Sequence, residues 1–203
     1  ILVGGSGLYA DSIMFGIDSF PEVPQEIRDN IRISFEKKGI KYLQKKIEKL
    51  DPKYYGKVDL NNSSRLLRAL ELIEFTGKSF SSMRSGKAKE RNFNTQIISL
   101  DCSREYLYSR INNRVDKMID DGLEKEVFEL KQFKNLNTMN TVGYKEFINY
   151  FENNVSYEEA VNKIKQNTRN YAKRQITWFK RYKNSRRINI EENYNLDIKN
   201  LNI

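Results

Sequence analysis

Apolar residues along the chain follow two different rhythms. From Glu26 to Leu50, first Ile27, Ile31 and Phe35, then Ile40, Leu43, Ile47 and Leu50, recur every three or four positions. That spacing predicts two amphipathic helices broken near Gly39. The same period returns at Leu66, Leu70 and Ile73, at Leu107, Ile111, Val115 and Met118, and at Leu123, Val127 and Leu130. It returns around Phe147, and again from Ala160 through Val161, Ile164 and Tyr171 to Trp178 and Phe179. The other rhythm is the short unbroken run. Ile1-Leu2-Val3, Gln96 to Asp101 and Arg187 to Ile190 predict strands, the first two buried as in a parallel sheet.

Polar punctuation sets the ends of these elements. Asn62-Ser63-Ser64 offers N-cap residues for a helix running through Phe75 and stopping at Thr76-Gly77. Ser103 caps the next, which Gly122 interrupts, and Ser156 with Glu159 fits a capping box for the last. Gly16 and the Pro21 to Pro24 segment predict an extended loop, Asp51-Pro52 a turn or helix start, and Ser81 to Asn94 a polar surface loop. Thr138 to Glu146 holds a glycine joint, and the tail from Glu191 carries only a weak signal for a terminal helix. Gly77-Lys78-Ser79 imitates the end of a phosphate-binding loop. Leu72 stands where that loop needs another glycine, and a helix precedes it where a strand is needed, so it reads as a helix cap.

The opening stretch joins strand to helix. After Val3 the run Gly4-Gly5-Ser6-Gly7 turns the backbone, and Leu8, Tyr9, Ile13 and Met14 resume helical spacing. This is half of a βαβ unit, and the N–H groups at such a helix start can bind phosphate beside the Ser6 hydroxyl. A tight turn without any ligand is the rival. An interior strand at residue 1 and only three strand candidates predict a piece of a larger α/β protein, with central strands supplied from outside these residues.

Composition narrows the chemistry. The 203 residues are 38% hydrophobic and 31% charged, without a run long enough to cross a bilayer or a secretory signal, so a cytoplasmic protein is expected. Histidine is absent, which removes His triads, His metal sites and imidazole bases. The single cysteine, Cys102, reads as a core thiol. A net charge of +9 favours a polyanionic partner if it is concentrated on one surface. Lys165, Arg169, Lys173, Arg174, Lys180, Arg181 and Lys183, interleaved with Tyr171, Trp178 and Tyr182, suit nucleic acid, the alternative being a core stripe backed by a soluble face. Arg65 and Arg68 share a helix face, as do Arg110 and Arg114, where each pair either grips phosphates or is solvated surface charge.

Four motifs in one order then carry a family resemblance. Gly-Gly-Ser-Gly-Leu-Tyr at the front, Arg65-Leu66-Leu67-Arg68-Ala69-Leu70-Glu71 with Gly77-Lys78-Ser79 behind it, Val142-Gly143-Tyr144-Lys145-Glu146, and Lys173-Arg174-Gln175-Ile176-Thr177-Trp178-Phe179-Lys180-Arg181 resemble tRNA dimethylallyltransferase, also called tRNA isopentenyltransferase. The resemblance spans nearly the whole chain. It implies an α/β core of P-loop NTPase type, nucleotide-binding in form, whose parallel sheet is incomplete here, with a mostly helical insertion. Residues 1–19 and 96–203 are expected in the core and 20–95 in the insertion and its connecting loop. It further implies transfer of a dimethylallyl group from dimethylallyl diphosphate to the exocyclic amine of the adenosine 3′ of the anticodon. Mg²⁺ is expected on the diphosphate, with no protein metal ligands assigned, and the tRNA anticodon stem-loop is the expected partner of a monomer.

Position by position, Ser6 matches a threonine or serine at the family's reaction centre, and Gly4 and Gly5 of the turn are expected to bind the diphosphate. Arg28, the segment Ser64, Arg65 and Arg68, the segment Val142, Gly143, Tyr144 and Lys145, and Lys173, Arg174, Gln175, Thr177, Trp178 and Lys180 match tRNA-contacting positions. Arg110 and Arg114 are expected to clamp the diphosphate, from their spacing alone. Lys145 stands where the family commonly has arginine, and lysine cannot make a planar two-point contact. Ser63-Ser64 stands where the family often has a Pro-Gln or similar pair. The family's P-loop and its Asp-Ser-x-Gln segment with the catalytic aspartate do not occur in these residues. A nucleotide kinase with a similar core and a tRNA-binding module without chemistry are the competing readings. Incubating these 203 residues alone with tRNA and dimethylallyl diphosphate is expected to leave the tRNA unmodified; prenylated adenosine in the digested product would overturn that expectation.

Overall fold

The computed structural model describes residues 1–86 and 89–191, and the expected terminal helix of the tail lies outside them. Contacts divide the chain into two compact units, one of residues 1–10 with 93 onward, the other of residues 11–92. The second unit begins nearer the front of the chain than the insertion expected over 20–95.

The first helix, α1 (Gly7–Met14), leads from one unit into the other. Residues 11–92 then form a helical bundle of α2 (Gln25–Lys38), α3 (Ile40–Leu50), α4 (Pro52–Tyr55), α5 (Ser63–Thr76) and α6 (Phe80–Met83). Gly39, at φ +69°, breaks α2 from α3 in the left-handed region where a Cβ would be strained. Asn62 caps α5 by accepting from the Arg65 N–H at 3.1 Å, and Gly77 ends it with a left-handed residue. The apolar stripes meet in one core containing Ile31, Leu43, Ile47, Leu66, Leu70, Leu72 and Phe80. Part of the predicted polar loop from Ser81 is α6, because Phe80 turns inward against Phe20 and Tyr54.

The other unit contains β1 (Ile98–Asp101), α7 (Arg104–Asp120), α8 (Leu123–Leu130), α9 (Tyr144–Phe151), α10 (Tyr157–Phe179) and β2 (Arg186–Asn189). The strands pair in parallel, Ile98 with Arg186 and Leu100 with Ile188. Parallel partners need a long crossover, and α7 to α10 provide it. Val115, Leu123, Val127, Phe147, Ala160 and Ile164 form the core between these helices, with Tyr150, Phe151 and Tyr157 packed around Phe147.

Two strand expectations need correction. Ile1 to Val3 form no strand and are largely exposed, Ile1 at 96%, because an extended segment gains sheet structure only when its N–H and C=O groups find a neighbour. The run at 97–101 does form a strand, yet Leu100 is 64% exposed. Only β2 pairs with it among the described residues, so the expected burial on both faces is absent. The result is a mostly helical α/β fold with a small parallel sheet. No helix among the described residues is long and apolar enough to cross a membrane.

Asp51 ties the helical bundle at the α3–α4 corner. It is 1% exposed, accepts from the Tyr54 N–H at 3.0 Å, and takes two bonds of 2.7 Å from the Ser81 N–H and hydroxyl. Burial alone would raise its pKa, but these donors outweigh it and hold the carboxyl below its ordinary value. A depressed folded pKa contributes stability above the unfolded value, about 3.9, and loses it as pH falls through the folded one. Asp51→Ala is therefore expected to cost about 2–3 kcal/mol at neutral pH. Denaturant titrations at pH 7 and in acid should show the gap between the two proteins closing in acid; an equal gap at both would refute the charged anchor.

Candidate nucleic-acid interface

The long helix α10 carries the cationic block, and its position is set by α7. Lys165 pairs with Asp116 at 2.5 Å, Arg169 donates to Asn112 Oδ1 at 2.7 Å, and Lys173 lies over the Tyr108 ring at 5.9 Å. Positions 165, 169 and 173 ascend while 116, 112 and 108 descend, one turn at a time, so the two helices run antiparallel and zip along their polar edges. The first half of the basic face is thus partly engaged within the protein. That qualifies the expectation of seven cations offered outward together.

Past that zipper the helix opens into a groove of ≈ 390 Å³ lined by Lys173, Arg174, Thr177, Trp178 and Arg181. Lys173, Arg174, Thr177 and Lys180 are exposed. The Thr177 hydroxyl donates to the Lys173 carbonyl at 3.0 Å, leaving its oxygen able to accept. Arg181 stacks over the indole of Trp178 at 4.1 Å and donates through Nε to the Trp178 carbonyl at 3.2 Å. The family resemblance does not assign Arg181 to tRNA, although its place three residues beyond Trp178 is a usable signal. Trp178 Nε1 is enclosed without a hydrogen-bond partner among the described residues.

The glycine turn packs against this same stretch. Gln175 Nε2 donates to the Gly5 carbonyl at 2.9 Å. A Cβ on Gly5 would fall 2.2 Å from that nitrogen, and one on Gly7 would fall 2.1 Å from Trp178 Cδ1. Ser6 lies between these two contacts, half-buried, and its carbonyl accepts from the Ala10 N–H at 3.0 Å to start α1. The turn and the block therefore meet across 170 residues of sequence. Gly4 is exposed with open space about its Cα.

The remaining expected positions stand elsewhere. In the same unit, Gly143 holds φ +102° and is buried, and its N–H donates to Glu146 Oε2 at 2.7 Å. The other oxygen of that 5%-exposed carboxylate accepts from Asn167 of α10 at 2.6 Å, fixing the joint to the basic helix. Val142 and Lys145 are exposed, while the Tyr144 hydroxyl donates to Glu126, a bond that with burial raises the phenol's pKa. Arg110 and Arg114 lie on the exposed face of α7, Arg110 over the Tyr106 ring at 5.7 Å. In the helical unit, Ser64 and Arg65 stand on the first turn of α5, and Arg68 sits 3.7 Å from Glu71, so that arginine is partly neutralised. Arg28 on α2 is half-buried with its Nε enclosed. Among the described residues, no cluster of three or more acidic or sulfur side chains could hold a metal ion.

A parallel-stranded α/β unit that docks a glycine turn on a tryptophan-bearing cationic helix defines the class. A family model described as IPP transferase matches residues 1–182, and the chain belongs to that family. Relatives include the tRNA dimethylallyltransferase of Christiangramia forsetii, 50% identical over 181 residues, covering 89% of this chain and 60% of that protein. That of Flavobacterium psychrophilum is 46% identical over 191 residues, covering 91% and 62%. The chain thus spans about 60% of the length of these curated relatives. The full-length tRNA isopentenylpyrophosphate transferase of Bacillus halodurans shares 34% identity at a TM-score of 0.56, over 93% of this chain and 59% of that one. A eukaryotic dimethylallyltransferase, described in its crystal structure as acting on tRNA, aligns at a TM-score of 0.69 with 24% identity, over 92% of this chain and 50% of that one, a likeness of fold.

Trp178 is the sole tryptophan of the 203 residues, so their tryptophan emission reports on the surroundings of this one ring. Gly7→Ala places a methyl inside the indole's volume, and relieving it costs about 1–3 kcal/mol. The variant is expected to unfold earlier and to emit at longer wavelength as the ring is displaced. An unchanged spectrum and midpoint would show that the turn does not rest on Trp178.

Proposed function

We propose that the whole protein transfers a dimethylallyl group from dimethylallyl diphosphate to the exocyclic amine of the adenosine 3′ of a tRNA anticodon, and that this chain supplies the tRNA-gripping helix and the reaction-centre turn. The observation that carries the reading is the meeting of the Ser6 turn with the Lys173 to Arg181 groove. A polyanionic substrate held by those cations would be presented beside a small hydroxyl at a helix start. The names of the relatives, with 44–50% identity for the first three, support the substrate pair.

Chemically, the amine nitrogen bonds to the terminal carbon of the dimethylallyl group as the carbon–oxygen bond to diphosphate breaks, and the amine releases a proton. The amine is a weak nucleophile, so orientation and stabilisation of the leaving oxygens dominate the barrier. Lys173, Arg174, Lys180 and Arg181 hold phosphates of the anticodon arm, and the Trp178 edge in the groove offers an apolar surface to a base. Ser6 contacts the nucleotide or the diphosphate. Among the described residues no side-chain cluster forms a ligand set for Mg²⁺, which would accompany the diphosphate as part of the substrate. Arg110 and Arg114 are proposed as further anion contacts.

Replacing Arg174 and Lys180 together with alanine in the full-length protein is expected to lower affinity for an anticodon stem-loop about tenfold or more. It should also make the salt dependence shallower by about 1.4 to 1.8 in slope, the loss of two phosphate contacts. Filter binding across a salt series measures both. Unchanged affinity would reduce α10 to a structural element.

A further inference from the structure

Resting on that reading of Ser6, we infer that Gln175 is a positioning residue for the reaction-centre turn rather than a contact to tRNA. Its flanking residues divide the work. Arg174 and Trp178 line the groove, as does Thr177, whereas Gln175 is not part of that lining and is half-buried. Its amide is committed elsewhere: Nε2 donates to the Gly5 carbonyl at 2.9 Å. The fit is close enough that any side chain on Gly5 would collide, a Cβ lying 2.2 Å from Nε2 and 2.9 Å from Cδ. The carbonyl so held immediately precedes Ser6, where the chain enters α1. An amide that takes the Gly5 oxygen thereby fixes the peptide plane from which Ser6 departs, and with it the direction of the hydroxyl.

The contact also links recognition to chemistry. Gln175 follows Arg174 directly and sits three residues before Trp178, so one turn of α10 touches both the groove, through Arg174 and Trp178, and the glycine turn, through Gln175 and the other side of Trp178. A substrate that orders this part of the helix would order the Ser6 turn through the same amide. Small misplacements of a reacting group carry large rate penalties, so the loss should appear in turnover and not in binding.

The test is steady-state kinetics of the full-length protein with tRNA and dimethylallyl diphosphate. Gln175→Met keeps the length of the side chain and removes the donor. It is expected to lower kcat about tenfold or more while KM for tRNA and stem-loop affinity stay within about twofold. Gly5→Ala, which pushes the amide away from the other side, should reproduce that split. The double variant should be little worse than either single one, since both break the same contact. A raised KM with kcat intact, or additive losses, would overturn the proposal and return Gln175 to the tRNA surface. If Gln175→Met does not fold, judged by circular dichroism and thermal unfolding, the kcat and KM of Gly5→Ala decide alone. Failure of the tRNA reading itself is separable: the Arg174 and Lys180 variant would then keep its affinity whatever Gln175 does.

Discussion

The antiparallel zipper between α7 and α10 is the constraint on which the rest of this unit depends. A helix of 23 residues rich in lysine and arginine has little reason to sit still, since its charges favour water and repel one another. Ile164 and Ala160 bury one stripe, and Asp116, Asn112 and Tyr108 of α7 take up Lys165, Arg169 and Lys173 in turn. Most of the holding power comes from the buried stripe, since exposed ion pairs contribute modestly. The polar edge selects which face is buried and how far the helix slides, leaving Arg174 near its end, with Lys180 and Arg181 just past it, as the cationic surface.

Two further contacts hang from that placement. Glu146, buried at the start of α9, bonds back to Gly143 and across to Asn167, so the segment around Val142 and Lys145 is positioned by the same helix. At the far end, Gln175 and Trp178 receive Gly5 and Gly7. Both glycines here serve close approach and not a left-handed backbone, since neither has a positive φ. A single helix thereby gathers the segment around Val142 and Lys145, the cationic groove and the glycine turn at Ser6 from three separated parts of the chain.

The helical unit of residues 11–92 solves a different problem. It builds its own core from α2, α3 and α5, and Asp51 closes the corner where α6 returns. The cations of α2 and α5 vary in how available they are. Arg68 leans toward Glu71, whereas Arg65 stands exposed on the first turn after Asn62.

Helices were legible because period and capping are local. Gly39, Asn62, Gly77, Ser103 and the Ser156 to Glu159 box act within four residues, so their effects are written beside them. The order of the four family motifs was equally plain, and with it the cationic character of α10. The strand expected at Ile1 to Val3 is missing because an apolar run records only a capacity for pairing, and pairing belongs to whichever neighbour supplies the other half of the ladder. Which cations of α10 would be engaged by α7, and that Gln175 would turn inward to Gly5, were decided by tertiary packing alone. Those outcomes depend on residues far apart along the chain, up to 170 positions for Gln175 and Gly5, and no local pattern encodes the register at which two helices settle or the side from which a glycine turn arrives.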